Sequence, residues 1–272
     1  MTNLADNRIV RTFAELRAAG KKTLMPFLTA GYPDLETTEA LLKGIEARGV
    51  RICELGIPFS DPIADGPTIQ ASYTEALAEG VGSEGIFEMV RRYRASGGQL
   101  ALIAMVSYSI VYRHGAEAYL AGAAGAGFDG LIIPDLSLEE AGDVEALATA
   151  DGLANVMLIA PTTPPDRRLE IARHCRGFIY FVSVAGITGE RDRLPEDTIR
   201  AVADLRKHTD RPVCVGFGIS RPEMVAEVCQ VADGAIVGSA IVHRITDHKG
   251  EPREKLVEAV GDFVGQLLAP LA

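Results

Sequence analysis

The chain alternates short apolar runs with longer segments of helical period along almost its whole length. Each run has the length of a buried strand, and the segment after it repeats its apolar residues at helical spacing. Eight strand–helix pairs therefore account for most of the sequence. The runs cover residues 23–29, 52–58, 100–107, 130–135, 156–161, 178–184, 212–216 and 234–237, and the helical segments cover 37–46, 84–93, 116–125, 138–148, 167–174, 197–207, 222–231 and 254–268.

One more helix is predicted over residues 8–19, before the first strand. The 272 residues show no shift in composition and no linker, so residues 1–272 are predicted to form a single domain. Regular alternation without a break favours a closed barrel over an open, doubly wound sheet. The predicted fold is α/β, a single (β/α)8 TIM barrel with an extra N-terminal helix.

In such a barrel, chemistry takes place where strands end and helices begin. The lysines fall on predicted helices, in the tail or before the first strand, which argues against an aldolase that works through a lysine Schiff base. The five histidines do not cluster with carboxylates at strand ends, so no metal site is expected. The polar residues that do fall at or just beyond predicted strand ends are Glu54, Asp65, Asp135, Tyr180 and Ser239.

Glu54 is a charged residue in the interior of an apolar strand. With the period of two of a strand, it faces away from the apolar side formed by Cys53, Leu55 and Ile57. An unpaired charge buried there is costly unless the site uses it. A structural carboxylate paired with arginine is the alternative, but the only basic residue of this strand, Arg51, has the opposite parity. The pattern therefore favours a catalytic Glu54.

Asp65 follows on the loop that leaves the same strand. In the segment from Asp61 to Pro67, either aspartate could instead form a turn through its own side chain. The residues alone leave that choice open.

Glycines follow the last three predicted strands, at 186–189, 216–220 and 238–240. Glycine lets backbone N–H groups approach an anion closely, and a helix N-terminus adds a favourable dipole. The loops after strands seven and eight are the recurrent phosphate site of these barrels. The pattern predicts a phosphate held by backbone amides near Gly218 and Gly238 and by the Ser239 hydroxyl, with tight turns as the alternative.

Composition limits the partners. A net charge of −10 and a pI near 5.1 argue against nucleic acid. Four cysteines without metal-ligand or disulfide spacing fit a reducing compartment. The N-terminus has no signal-peptide pattern and no apolar run reaches membrane-spanning length, so a cytoplasmic protein with no membrane partner is expected.

Several motifs together resemble the tryptophan synthase alpha chain family. The run from Glu54 to Gln70, ELGIPFSDPIADGPTIQ, looks like the signature of that family, and the resemblance continues in order over essentially the whole chain. The other matching segments are 26–33 (PFLTAGYP), 134–136 (PDL), 160–164 (APTTP), 180–189 (YFVSVAGITG), 216–220 (GFGIS) and 233–240 (DGAIVGSA).

The resemblance implies cleavage of indole-3-glycerol phosphate to indole and glyceraldehyde 3-phosphate, a reversible retro-aldol step. By similarity, Asp65 hydrogen-bonds the indole N–H and stabilises its cationic tautomer, while Glu54 moves the proton between the substrate hydroxyl and indole C3. The match thus favours Asp65 over Asp61. No metal or organic cofactor is implied for this chain.

The resemblance also assigns substrate contacts. Tyr180 becomes a pocket wall whose hydroxyl can reach the glycerol moiety or a catalytic carboxylate. Phe27 is either core or an indole contact. Thr188 and Gly189 would belong to a loop that closes over the substrate.

The implied partner is the tryptophan synthase beta chain, which carries pyridoxal phosphate and receives the indole in an alpha2beta2 complex. By similarity, the loop with Asp61 and the region after the third strand face that partner. The chain departs from the family there, since a common Tyr-Asn-Pro run reads Tyr108-Ser109-Ile110. Ser109 lacks the asparagine amide, which affects the expected contact and not the acid–base pair.

Two other classes of function stay open from the sequence. One is another phosphate-binding barrel enzyme, an isomerase or a cyclising synthase, which should place its acid–base residues on other strands. The other is a weakly catalytic subunit that mainly binds and activates a partner, which activity measured without the partner would distinguish.

Overall fold

The structure is a computed structural model that describes residues 4–62, 65–183, 195–216 and 218–272. Its strands are β1 (Thr23–Thr29), β2 (Ile52–Gly56), β3 (Ala101–Met105), β4 (Gly130–Ile132), β5 (Ala154–Val156), β6 (Leu158–Ile159), β7 (Ile179–Val182), β8 (Val213–Gly216) and β9 (Gly234–Val237). Its α-helices are α1 (Arg8–Ala18), α2 (Leu35–Ala47), α3 (Pro67–Ala78), α4 (Ser83–Ala95), α5 (Tyr108–His114), α6 (Ala116–Ala126), α7 (Gly142–Ala150), α8 (Pro165–His174), α9 (Glu196–Leu205), α10 (Pro222–Val231), α11 (Ser239–His248) and α12 (Arg253–Leu268). Leu4–Asp6 and Ala269–Leu271 form short 3₁₀ helices.

All strand pairs are parallel, in the order β5-β4-β3-β2-β1-β9-β8-β7-β6. The two outermost strands, β5 and β6, are consecutive in the chain and separated only by Met157. The first pairs with β4 and the second with β7, so one interrupted strand joins both ends of the sheet. The Tyr180 N–H bonds the Met157 carbonyl at 3.1 Å across this break. The predicted (β/α)8 barrel with its extra N-terminal helix is confirmed, and the single sheet is consistent with one domain.

Helix α1 closes the end of the barrel at which the strands begin. Asn7 caps it by accepting the Ile9 N–H at 2.9 Å. The fully buried Ile9 side chain lies where Cβ atoms on Gly130 and Gly177 would be, 2.9 and 3.1 Å from those positions. The rings of Phe13 and Phe178 meet at 5.6 Å between centroids. These side chains fill the barrel interior at this end, beside a groove of about 980 Å³ between α1, α8 and the loop before β8. The polar residues at the strand ends lie at the opposite end of the barrel.

Asp129 ties this closed end together. Its buried carboxylate accepts hydrogen bonds from Arg8, Arg94 and the Leu102 N–H, each at 2.9 Å. A buried charge needs such partners to offset its lost hydration. The bonds connect the strand edge before β4 to α1 and α4.

Three helices are absent from the sequence prediction. In α3 the buried stripe contains Ser72 and Tyr73, so its apolar period is weak. Helix α5 has seven residues and only one fully buried apolar side chain, Val111. Helix α11 begins one residue after β9 ends, within the glycine segment 238–240 that the sequence predicts to bind phosphate. The predicted helix 138–148 begins later, at Gly142, and β2 ends at Gly56 rather than at residue 58.

Candidate active site

A cavity of about 60 Å³ opens where the barrel strands end, and it is called the central cavity here. It brings together seven of the nine residues predicted for the site; Thr188 and Gly189 lie outside the described residues. Its lining is Phe27, Glu54, Asp65, Gly66, Ile69, Met105, Tyr180, Gly218, Ile236, Gly238 and Ser239.

Glu54 lies on β2, in register with Phe27 of β1, and its side chain is completely buried. Among the described residues, neither carboxylate oxygen has a hydrogen-bond partner. Burial without a partner penalises the ionised form, which raises the pKa of Glu54 well above its ordinary value. A carboxyl group whose pKa is raised holds its proton more strongly and is suited to act first as a proton donor.

Asp65 lies on the loop between β2 and α3, and its position is fixed through its backbone. Its N–H bonds the Pro62 carbonyl at 3.1 Å, and its carbonyl accepts the Gln70 side-chain amide at 2.8 Å. Its carboxylate lines the central cavity, where burial raises its pKa to about 6. Asp61 is instead exposed, outside the central cavity, and accepts a hydrogen bond from Ser60 at 2.6 Å.

Two glycines make room for the aromatic walls. A Cβ on Gly56 would lie 2.4 Å from Phe27 Cζ, and a Cβ on Gly216 would lie 2.4 Å from Tyr180 Oη. No side chain can stand at such distances, so both rings fill space that only glycine leaves free. Phe27 and Tyr180 are 5% and 4% exposed, which fixes them as walls beside Glu54.

Glycine and helix geometry shape the other side of the cavity. Gly218 has a φ of +78°, a conformation that glycine adopts without strain. Ser239 is the first residue of α11 and follows Gly238, so α11 points its N-terminus at the cavity. Free N–H groups and the helix dipole at such an end favour an anion. No lysine or arginine lines the central cavity within the described residues.

A second cavity of about 290 Å³, called the side cavity here, shares Asp65 and Met105 with the central one. Its lining is Ile57, Phe59, Asp61, Pro62, Asp65, Tyr73, Met105, Val106, Ser107, Ser109, Pro134 and Asp135. Asp135, a candidate from its position at a strand end, accepts hydrogen bonds from the Ser107 hydroxyl at 2.7 Å and from the Tyr108 N–H at 2.8 Å. It therefore caps α5 and shapes the rim of the side cavity, away from Glu54.

Sequence reasoning missed several apolar or aromatic residues of the two cavities, among them Ile69, Met105 and Tyr73. Ile69 and Tyr73 belong to α3, which was not predicted, and Met105 ends β3 in an ordinary apolar run. The proline directly after Gly66 is the signal that could have located the start of α3.

Within the described part of the chain, no group of three or more histidine, cysteine, aspartate or glutamate side chains is placed to hold a metal ion. No described helix is long and apolar enough to cross a membrane.

A (β/α)8 barrel with two carboxylates of raised pKa and a glycine-lined cavity at the strand ends defines a barrel enzyme of the acid–base type.

Comparison with known proteins identifies the family. The sequence model of the tryptophan synthase alpha chain matches residues 13–267, and the chain belongs to that family of lyases. It is 45% identical to the tryptophan synthase alpha chain of Chloroflexus aurantiacus over 266 residues, 98% of this chain and 99% of that one. The alpha chain of Rhodopirellula baltica is 44% identical over 264 residues, 94% and 95% of the two chains.

Solved structures agree with this assignment. A structure of Mycobacterium tuberculosis tryptophan synthase superposes with a TM-score of 0.88 at 32% identity, covering 97% of this chain and 98% of that chain. An alpha subunit from Legionella pneumophila gives a TM-score of 0.88 at 34% identity, with the same two coverages.

Proposed function

We propose that this chain cleaves indole-3-glycerol phosphate to indole and glyceraldehyde 3-phosphate, as the alpha subunit of tryptophan synthase. The observation that carries the proposal is that Glu54 and Asp65 line one cavity and have different environments. Glu54 is wholly buried, which raises its pKa well above the ordinary value, whereas Asp65 is partly buried, which raises its pKa to about 6. Two carboxyl groups in different protonation states can divide acid and base work.

The proposed reaction balances with these two groups alone. Glu54 donates its proton to indole C3, and the resulting positive charge on the ring nitrogen is stabilised by the ionised Asp65. The bond from C3 to the glycerol chain then breaks, and its electrons return to the indole ring. The Glu54 carboxylate takes the proton of the adjacent substrate hydroxyl, whose oxygen becomes the aldehyde, so Glu54 regains its proton.

Substrate binding is proposed to use the rest of the cavity. Phe27 and Tyr180 would flank the indole and glycerol portions, and Gly218, Gly238 and Ser239 would hold the phosphate through N–H groups and the Ser239 hydroxyl. Thr188 and Gly189 are proposed for the loop that closes over the substrate, by resemblance alone. These roles stay predictions.

The family needs no cofactor in the alpha chain. We propose that pyridoxal phosphate belongs to a partner beta chain, which would take the indole within an alpha2beta2 complex. The rim of the side cavity, with Asp61 and Ser109, is the proposed contact region. The cytoplasmic location expected from the sequence stays a prediction.

The test is indole release from indole-3-glycerol phosphate by the purified chain, with and without a tryptophan synthase beta chain. We expect slow release alone and a marked increase with the partner. If the rates are equal although sedimentation shows that the complex forms, activation by the beta chain is contradicted. The proposed cleavage reaction would still stand. A chain that releases no indole in either case, yet binds the beta chain, would be the binding subunit considered above.

Gly218→Val is expected to raise the substrate KM by tenfold or more, with a smaller change in kcat. A valine side chain would block backbone approach to the phosphate and strain the positive φ of this residue. Steady-state kinetics on indole-3-glycerol phosphate would measure both constants. Gly80→Val, at a positive φ of +76° with open space around the added Cβ, is the matched control for backbone strain. Equal effects of the two variants would contradict a phosphate role for Gly218.

A further inference from the structure

Tyr73 of α3 is buried beside both carboxylates, and its hydroxyl has no part in the proposed reaction. The side chain is 3% exposed. A Cβ on Gly56 would lie 2.5 Å from Tyr73 Oη and 2.4 Å from Phe27 Cζ, so these two atoms meet above the same glycine. Gly56 follows Glu54 by two residues on β2 and shares its face of the strand. The hydroxyl therefore lies where β2 ends, next to the residue that follows Glu54 on the same face of the strand.

The Tyr73 hydroxyl can donate a hydrogen bond, and the Asp65 carboxylate can accept one. Both line the side cavity, and Asp65 also lines the central cavity. Within the described residues, neither group has a hydrogen-bond partner for its side-chain oxygens. A phenol donates one hydrogen bond, and a carboxylate accepts several. Asp65 is on a loop that lets its side chain turn within the shared cavity, whereas Tyr73 is held by packing.

The surroundings of Asp65 offer no cation as an alternative partner. No lysine, arginine or histidine lines either cavity within the described residues. The other titratable groups that line them are Glu54 on β2, Tyr180 on β7, Asp61 on the same loop and Asp135 after β4. Asp135 is already bonded to Ser107 and Tyr108. Burial raises the pKa of Tyr73. The charge of Asp65 raises this pKa further, and by more than the charge of Glu54 does, which agrees with a phenol close to Asp65.

We propose that Tyr73 is a positioning residue for the reaction: its hydroxyl donates a hydrogen bond to the ionised Asp65 and aims the second carboxylate oxygen at the indole N–H. This inference rests on the proposed function for the catalytic role of Asp65. Holding the carboxylate from one side fixes its orientation and favours its charged form. Tyr73 acts through Asp65 and needs no contact with the reacting atoms.

Tyr73→Phe removes the hydroxyl and keeps the ring, so folding should be preserved. Loss of the donor raises the pKa of Asp65. The pH below which kcat/KM falls because Asp65 takes up a proton, called the acid limb here, therefore moves up by about 0.5–1 unit. A shift of this size lowers kcat/KM by roughly three- to eightfold at pH 5.5 and by less than about twofold at pH 7.5. Tyr119→Phe is the matched control, because it removes another buried tyrosine hydroxyl, one that lines neither cavity, and should leave the limb unchanged.

A second readout separates this inference from the proposed function. Carboxyl ¹³C NMR of the ligand-free chain, with Asp65→Asn used to assign the signal, follows the titration of Asp65 without any turnover. We expect Asp65 to titrate at higher pH in Tyr73→Phe than in the unmodified chain. Identical titration in the two proteins would overturn the inference even if the enzyme is active. Failure of the unmodified chain to release indole would overturn the proposed function, while the NMR shift would still decide whether Tyr73 bonds Asp65.

Discussion

Glu54→Gln is expected to lower turnover of indole-3-glycerol phosphate by about 10²–10⁴. Glutamine matches the shape of the protonated side chain and cannot transfer a proton, so both proton steps at the central cavity are lost. Binding of glycerol 3-phosphate, measured by calorimetry, should change little, because the phosphate is assigned to the glycine side of the cavity. A comparable loss of turnover and of glycerol 3-phosphate binding in the folded variant would contradict the role given to Glu54.

Although Glu54→Gln is expected to lower turnover, it is not expected to lower the free energy of unfolding. In the native state the pKa of Glu54 is raised by burial, so the folded chain binds a proton that the unfolded chain releases above its ordinary pKa. The native state is therefore progressively destabilised as pH rises from that ordinary pKa toward the raised one. Glu54→Gln removes this dependence. We expect its free energy of unfolding at pH 7 to equal or exceed that of the unmodified chain in urea titrations.

Asp65→Asn is expected to lower kcat/KM by about 10²–10³ at pH 7.5, because a neutral amide cannot stabilise the cationic indole ring as a carboxylate does. It should also remove the acid limb. In the unmodified chain, a pKa of about 6 means that kcat/KM falls as pH drops below about 6 and Asp65 takes up a proton. The pH dependence of kcat/KM from pH 5 to 8 measures both effects.

Asp61→Asn is the control for this prediction. Asp61 belongs to the same loop but is exposed and outside the central cavity. Assayed without a beta chain, it should keep the activity and the acid limb of the unmodified chain. An acid limb that persists in Asp65→Asn would show that another group titrates there. An acid limb that disappears in Asp61→Asn would assign the titration to Asp61 and contradict the prediction.

The barrel and most of the candidate site could be predicted because their signals are local. Strands β1 and β9 were predicted with their observed ends, since each is a short apolar run with a clear boundary. Glu54 was singled out because a charge inside an apolar strand has few structural explanations. The family match then favours the lyase over the other phosphate-binding barrel enzymes considered from the sequence.

What escaped prediction depends on contacts between distant segments. Tyr73 is an ordinary aromatic in the sequence, and only the packing of α3 over Gly56 brings its hydroxyl to the barrel mouth. Asp135 has the position of a catalytic residue, but its bonds to Ser107 and Tyr108 form between β4 and α5. The break at Met157 likewise reflects pairing with two different neighbours.

The carboxyl groups of this chain are proposed to cleave the substrate without help from another protein. The direct measurement is the amount of indole and glyceraldehyde 3-phosphate formed from indole-3-glycerol phosphate by the purified chain, free of any beta chain. We predict slow formation of both products in equal amounts, lowered by about 10²–10⁴ in Glu54→Gln. A folded chain that binds the substrate and forms neither product, or forms indole equally well with Glu54→Gln, would contradict the assignment of the chemistry to Glu54 and Asp65.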